Sequence, residues 1–314
     1  MDTNESLTEV EAMSSPRAQV VAMLLAGLVS ASALTAPTAD AQASTLRPGQ
    51  QVALVTGSTS GLGRELALRL GSMGMHVFVH GRNRERGMEV VEAITSEGVG
   101  SARFYRADLA SFEQVREFGE EVLRDYNRLD VLINNAGIAS APNGRALSED
   151  GHELIFQVNY LSHFLLTRML LPRLLESAPS RLVNVSSGAQ RPIDFDDVML
   201  ENNFSSGRAY AQSKLAQVLF TFDLAEELEG RGVIVNTLHP ATYMDTPMVT
   251  RGGRTPRTTV AEGADAVMQL VTSPDIGSGG YFSGLRRSRA NAQAYDEEAR
   301  AKLWRLSEEL TGTR

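Results

Sequence analysis

The sequence predicts an α/β protein built on one doubly wound, mostly parallel sheet. Short β-branched runs alternate with helical patterns from residue 51 to residue 282. The strand runs are almost continuously apolar, as expected where helices cover both faces of a sheet. A glycine-rich turn stands between the first strand and the first helix, at the carboxyl edge where such sheets bind ligands.

Residues 51–56 (Gln-Val-Ala-Leu-Val-Thr) read as a buried strand ended by Gly57. Helical periodicity follows over 62–70, then a strand over 76–80 and a helix over 84–94. Residues 102–105 read as a strand, 112–126 as an amphipathic helix and 131–134 as a strand. A long helix is expected over 152–175, a strand over 181–185 and a helix over 209–228. The strand 233–238, the helix 260–272 and a short strand at 280–282 complete the series. The expected sheet has about seven strands. Three stretches break the alternation, 188–207, 241–257 and 283–294. Each follows a strand in the second half of the sheet, where substrate walls belong.

These elements place one Rossmann-type domain over residues 49–314, preceded by an extension over 1–48. The extension opens acidic (Asp2, Glu5, Glu9, Glu11), continues as an uncharged, alanine-rich run and reaches Ala41-Gln42-Ala43. Translation from Met13 would make this a secretory signal ending in an Ala-x-Ala cleavage pattern. The alternative is a disordered extension, and a cytoplasmic location is expected with export as its rival. The apolar run is barely long enough to span a bilayer, so no stable membrane span is expected.

A net charge of −8 argues against nucleic-acid binding, which needs a basic stripe. The absence of cysteine excludes disulfides, thiolate catalysis and thiolate-bound zinc. Five histidines (His76, His80, His152, His163, His239) show no metal-binding spacing, so no metal is expected. Lys214 and Lys302 are the two lysines, and the other 28 of the 30 basic residues are arginine. Arginine is permanently charged and planar, lysine compact and titratable, so a retained lysine points to a site that needs one.

In Thr56-Gly57-Ser58-Thr59-Ser60-Gly61-Leu62-Gly63 the glycines allow a sharp turn and let backbone amides approach a pyrophosphate at a helix N-terminus. Gly57, Ser58, Ser60, Gly61, Leu62 and Gly63 are the candidate cofactor contacts, although the spacing departs from the G-x-G-x-x-G fingerprint. The second strand ends His80-Gly81-Arg82-Asn83-Arg84, without the carboxylate that would bind a ribose 2′-hydroxyl. Arg82, with Arg64 beside the turn, can instead meet a 2′-phosphate, so NADP(H) is favoured over NAD(H). Both could also be ordinary surface arginines.

Tyr210-Ala-Gln-Ser-Lys214 puts a phenol and an ammonium at i and i+4 on one helix face. The ammonium favours the phenolate and would bring the tyrosine into range for acid–base work. The strand before that helix ends in Ser186-Ser187, either of which can hydrogen-bond a substrate oxygen or simply cap a turn.

Together with Asp108-Leu109, Asn134-Asn135-Ala136-Gly137, Asn159 and His239-Pro240, these motifs resemble the short-chain dehydrogenases/reductases, in the retinol dehydrogenase-like subgroup. The resemblance runs from about Gln50 to the C-terminus, with Phe195-Asp196-Asp197 and Leu303-Trp304-x-x-Ser307 among its matches. It implies an NADP-dependent oxidoreductase interconverting a carbonyl and an alcohol. Tyr210 would be general acid and base, Lys214 would lower its pKa and bind ribose, and Ser187 would polarise the carbonyl. Asn159 would hold a water that links Lys214 to solvent. Asp108 and Leu109 would border the adenine, with Asn135, Ala136, Gly137, Pro240 and Thr246 also at the cofactor. Ala241 stands where the family carries glycine, which weakens the expectation for Thr246. The family habit implies a homodimer or homotetramer. Ile193, Phe195, Tyr243, Met244 and Met248 suggest a partly apolar small-molecule substrate. The alternatives are a catalytically inactive NADP(H)-binding sensor or scaffold, and an NAD-dependent alcohol oxidiser.

Overall fold

The computed structural model describes residues 46–141 and 143–313, so the expectations for the N-terminal extension lie outside the described residues. The elements run β1 (Val52–Val55), α1 (Gly61–Ser72), β2 (His76–Gly81), α2 (Arg84–Ser96), β3 (Ser101–Arg106), α3 (Phe112–Asp125) and β4 (Val131–Asn134). They continue with α4 (Leu154–Phe156), a π-turn (Gln157–Leu161), α5 (Ser162–Glu176), β5 (Ser180–Val185), α6 (Ser206–Glu227) and β6 (Val233–His239). The last are α7 (Pro247–Arg251), α8 (Val260–Thr272), β7 (Gly280–Ser283), β8 (Arg286–Ser288) and α9 (Glu297–Thr311).

The sheet order is β3-β2-β1-β4-β5-β6-β7-β8, parallel except for the last pair. Alternation along β1 shows how both faces are used. Ala53 and Val55 pack with Leu62 and Leu66 of α1, Val90 and Ile94 of α2, and Val267 and Leu270 of α8. Val52 and Leu54 join the opposite core with α3, α5, α6 and α9. Each such valine, leucine or isoleucine side chain taken fully out of water contributes roughly 1.5–3 kcal/mol. Strand order reverses between β1 and β4, which opens a crevice beyond their carboxyl ends.

The structure sharpens four sequence expectations. The sheet has eight strands, because Gly284 adopts φ 57° and closes a two-residue hairpin onto β8. The helix expected over 152–175 starts at Leu154, since the Glu153 carboxylate accepts from the amides of Ile155 and Phe156, and it is interrupted by the π-turn. The stretch 241–257 contains α7. The sequence reading assigned no helix to α9, which is capped by Asp296 and ended by Gly312 at φ 63°. Trp304 of α9 packs 5.5 Å from Phe164 and 5.8 Å from Phe220, covering α5 and α6. Among the described residues no helix is long and apolar enough to cross a membrane.

Candidate active site

The glycine turn is held by a buried hub at Thr56. Its hydroxyl accepts from the amides of Asn135 at 2.9 Å and Ala136 at 3.0 Å, and lies 3.0 Å from His163 Nε2. His163 Nδ1 faces the Asn159 carbonyl at 2.9 Å. Burial holds this imidazole neutral, pushed down to about 3, so Nδ1 carries the proton and Nε2 accepts from Thr56. The Asn135 carboxamide donates to the Thr56 carbonyl at 2.8 Å, and the Gly57 amide to His80 Nδ1 at 3.1 Å.

This turn fits a dinucleotide. Gly57 has φ 66°, and a Cβ there would stand 2.9 Å from the Ala136 backbone. A Cβ at Gly63 would run into the Gly57 carbonyl and the Asn135 carboxamide. Ser60 sits at the start of α1 with no side-chain cap, which leaves the first amides of a 12-residue helix aimed into the crevice. Ser58 differs from the sequence expectation. Its hydroxyl turns inward to the Val55 carbonyl at 2.8 Å and accepts from the His80 amide at 2.9 Å, so it shapes the turn. Leu62 and Leu109 are core residues. Arg64 is exposed on α1.

Arg82 and Asp108, expected at the adenosine end, meet each other: Nη1 lies 3.2 Å from Oδ2 at the ends of β2 and β3. The guanidinium is 71% exposed, so the pair is solvent-screened and weak, about 0–1 kcal/mol. A ligand phosphate can displace it.

The catalytic candidates converge at the ends of β4 and β5. Ser186 and Ser187, equivalent in sequence, separate here. Ser186 donates to the Lys214 carbonyl at 2.6 Å and belongs to the packing of α6. The Ser187 hydroxyl faces the Tyr210 phenol closely enough to favour its ionised form. Tyr281 of β7 donates to the Ser187 carbonyl at 3.2 Å and fixes the loop. Lys214 is 3% exposed, and its Nζ lies 5.8 Å from the centre of the Tyr210 ring. Burial pushes the ammonium down to about 7. The phenol is itself pushed up by burial, and Ser187 and Arg254 pull it back.

Asn159 lies in the π-turn, a widened helix geometry that recurs at functional sites. Its Oδ1 accepts from the Ile138 amide at 2.8 Å, while Nδ2 donates to the Ile138 carbonyl at 3.0 Å and to Ser213 Oγ at 2.9 Å. Gly137 keeps the centre open, because a Cβ there would stand 3.2 Å from Asn159 Oδ1 and 3.5 Å from Lys214 Nζ.

The segment after β6 closes the crevice. Pro240 is buried, and the left-handed residue of the turn is Tyr243 at φ 51°, not Ala241. A side chain in that region costs of order 1–3 kcal/mol. The Arg257 amide donates to the Tyr243 carbonyl at 2.8 Å, and Arg254 and Arg257 lie 5.0 and 5.2 Å from its ring. Arg254 also donates to the Tyr243 hydroxyl. Thr246 reaches the glycine turn, with Cγ2 3.3 Å from a Cβ built on Gly61. The alanine therefore does not move Thr246 away. Sequence reasoning missed His163, Gln217 and Arg254. For His163 the one signal was its fixed step of four residues from Asn159.

The family model for short chain dehydrogenases matches residues 51–256. Human retinol dehydrogenase 14 is 38% identical over 293 residues, covering 82% of this chain and 85% of that protein. A solved structure of an uncharacterized protein from Mycobacterium paratuberculosis superposes with TM-score 0.71 at 31% identity, covering 84% of this chain and 94% of its own. A short chain dehydrogenase from Escherichia coli complexed with NADPH superposes with TM-score 0.62 at 26% identity, covering 75% and 97%. The fold, the family model and the relatives agree, and this chain belongs to the short-chain dehydrogenase family, as an oxidoreductase of CH–OH and C=O groups.

Proposed function

We propose that the protein reduces a carbonyl compound with NADPH, Tyr210 acting as general acid, and runs the reverse oxidation with Tyr210 as base. The observation that carries this reading is a connected set beside the glycine turn: Asn159 and Lys214 meet at the bare Cα of Gly137, Tyr210 lies against Lys214, and Ser187 faces Tyr210. The nicotinamide supplies or accepts the hydride when bound. Gly57, Gly61 and Gly63 with the open N-terminus of α1 would hold its pyrophosphate, and Arg82 a 2′-phosphate.

The substrate oxygen is held by the Ser187 hydroxyl and receives the proton from Tyr210 Oη. The phenol is raised by burial, so it holds its proton until the substrate oxygen gains charge and becomes the stronger base. Lys214 Nζ faces the space beside Gly137 and would bind a ribose hydroxyl there. Ile193 is buried and Phe195 half-buried on the 188–207 wall, which supports a partly apolar substrate.

Two variants test the reading. Tyr210→Phe is expected to abolish turnover across a panel of ketones, aldehydes and quinones while leaving NADPH binding within about threefold. Unchanged turnover would overturn the catalytic assignment. Arg82→Ala is expected to weaken NADP binding and leave NAD binding unaltered. An intact NADP preference would sink the cofactor reading.

A further inference from the structure

Gln217 lies three residues beyond Lys214 on α6 and is 1% exposed. The Lys214 ammonium donates to its Oε1 at 2.9 Å and to the Val185 carbonyl at 2.8 Å. An ammonium carries three N–H bonds in a fixed tetrahedral array. Two good acceptors therefore aim the third bond. Nζ borders the space that Gly137 leaves open, opposite the Asn159 carboxamide oxygen.

The other half of the Gln217 amide is anomalous. Its Nε2 is buried with no hydrogen-bond partner among the described residues, and buried polar groups are usually paired. Lys214 gives it a use. The groups facing Lys214 are the Tyr210 ring on its own helix and neutral His163 from α5, and no carboxylate pairs with it among the described residues. Burial brings its titration close to neutrality, so both forms of the amine are accessible. An amide suits both. Oε1 accepts from the ammonium, and after a half-turn of the amide Nε2 donates to the lone pair of the neutral amine. A leucine could do neither, and a glutamate, having no N–H, could accept from the amine but not donate to its lone pair.

We propose that Gln217 is a positioning residue for Lys214, holding its nitrogen toward the space beside Gly137 in both protonation states. The proposal rests on the functional reading above only for what Lys214 then binds.

The test uses the full chain as wild type, Gln217→Leu and Gln217→Glu. Because the protein has two lysines, lysine labelled at the side-chain nitrogen gives two signals, one of them Lys214, whose titration can be followed by NMR without cofactor. The expected order of midpoints is glutamate above wild type above leucine. The carboxylate stabilises the ammonium, and the leucine removes an acceptor from it. In the second arm, Gln217→Leu weakens NADPH binding about tenfold, the scale of one charge-assisted hydrogen bond, and Gln217→Glu restores it below the Lys214 midpoint. Equal midpoints in all three proteins overturn the proposal. So does a loss of NADPH affinity that follows melting temperature equally in both variants, the mark of a merely structural residue. Should wild type bind no dinucleotide, the functional reading fails while the NMR arm still decides the role of Gln217.

Discussion

Replacing Thr56 by valine isolates the hub under the glycine turn. Valine matches threonine in shape but carries no hydroxyl, so no cavity opens and only polar contacts are lost. Three are lost at once: the acceptor for the Asn135 amide at 2.9 Å, the acceptor for the Ala136 amide at 3.0 Å, and the donor to His163 Nε2 at 3.0 Å. Thr56 is fully buried and His163 nearly so, which leaves water little access to replace those bonds. A buried group stripped of its partner costs about 1–3 kcal/mol. Because the two amides share one oxygen, the expected loss is about 3–5 kcal/mol rather than the full sum. Urea unfolding at pH 7.5 measures it as a lower midpoint with an unchanged m-value. Thr56→Ser keeps the hydroxyl, loses one methyl and should cost only about 1 kcal/mol. A valine variant within about 1 kcal/mol of wild type, or a serine variant as damaged as the valine, would refute the hub.

Arg254→Ala removes a permanent positive charge that favours the Tyr210 phenolate. In the alcohol-oxidation direction, where the phenolate is the base, the ascending limb of the pH–rate profile should move to higher pH. An unmoved limb, or one displaced toward acid, contradicts the role. Stability should also fall in mild acid. His80 and His163 are buried neutral, with pKa values pushed down by burial to about 4 and about 3 from an ordinary 6.5. The unfolded chain therefore binds more protons between those values, and stability falls as pH drops from about 6.5 toward 3–4, by on the order of 3 kcal/mol per histidine. Unfolding free energies that stay level between pH 7.5 and pH 5 would count against both assignments.

The glycine turn was legible in the chain because its requirements are local. Gly57 and Gly61 both take positive φ, and the turn joins a strand to a helix that periodicity already marked. The Tyr210–Lys214 pair was legible for the same reason, since a helix sets the i to i+4 relation without reference to the rest of the fold. The alternation of strands and helices likewise specified a covered parallel sheet. It did not show β8, whose three exposed residues Arg286–Ser288 carry no apolar alternation.

What tertiary structure alone decided are the meetings between distant segments. His163 touches Thr56 across 107 residues, and the identity of its protonated nitrogen follows only from what each nitrogen faces. Ser186 and Ser187 are adjacent hydroxyls in sequence, and the chain beyond β5 sends one into α6 and the other toward Tyr210. The acidity of Tyr210 was expected to depend on its helix neighbour Lys214, and packing adds a second cation, Arg254, from the segment after β6. Composition and spacing thus determined that this is a dinucleotide-type sheet with a tyrosine–lysine pair at its edge. Which charges act on that pair was settled by packing, because burial and distance belong to the assembled elements and to none of them singly.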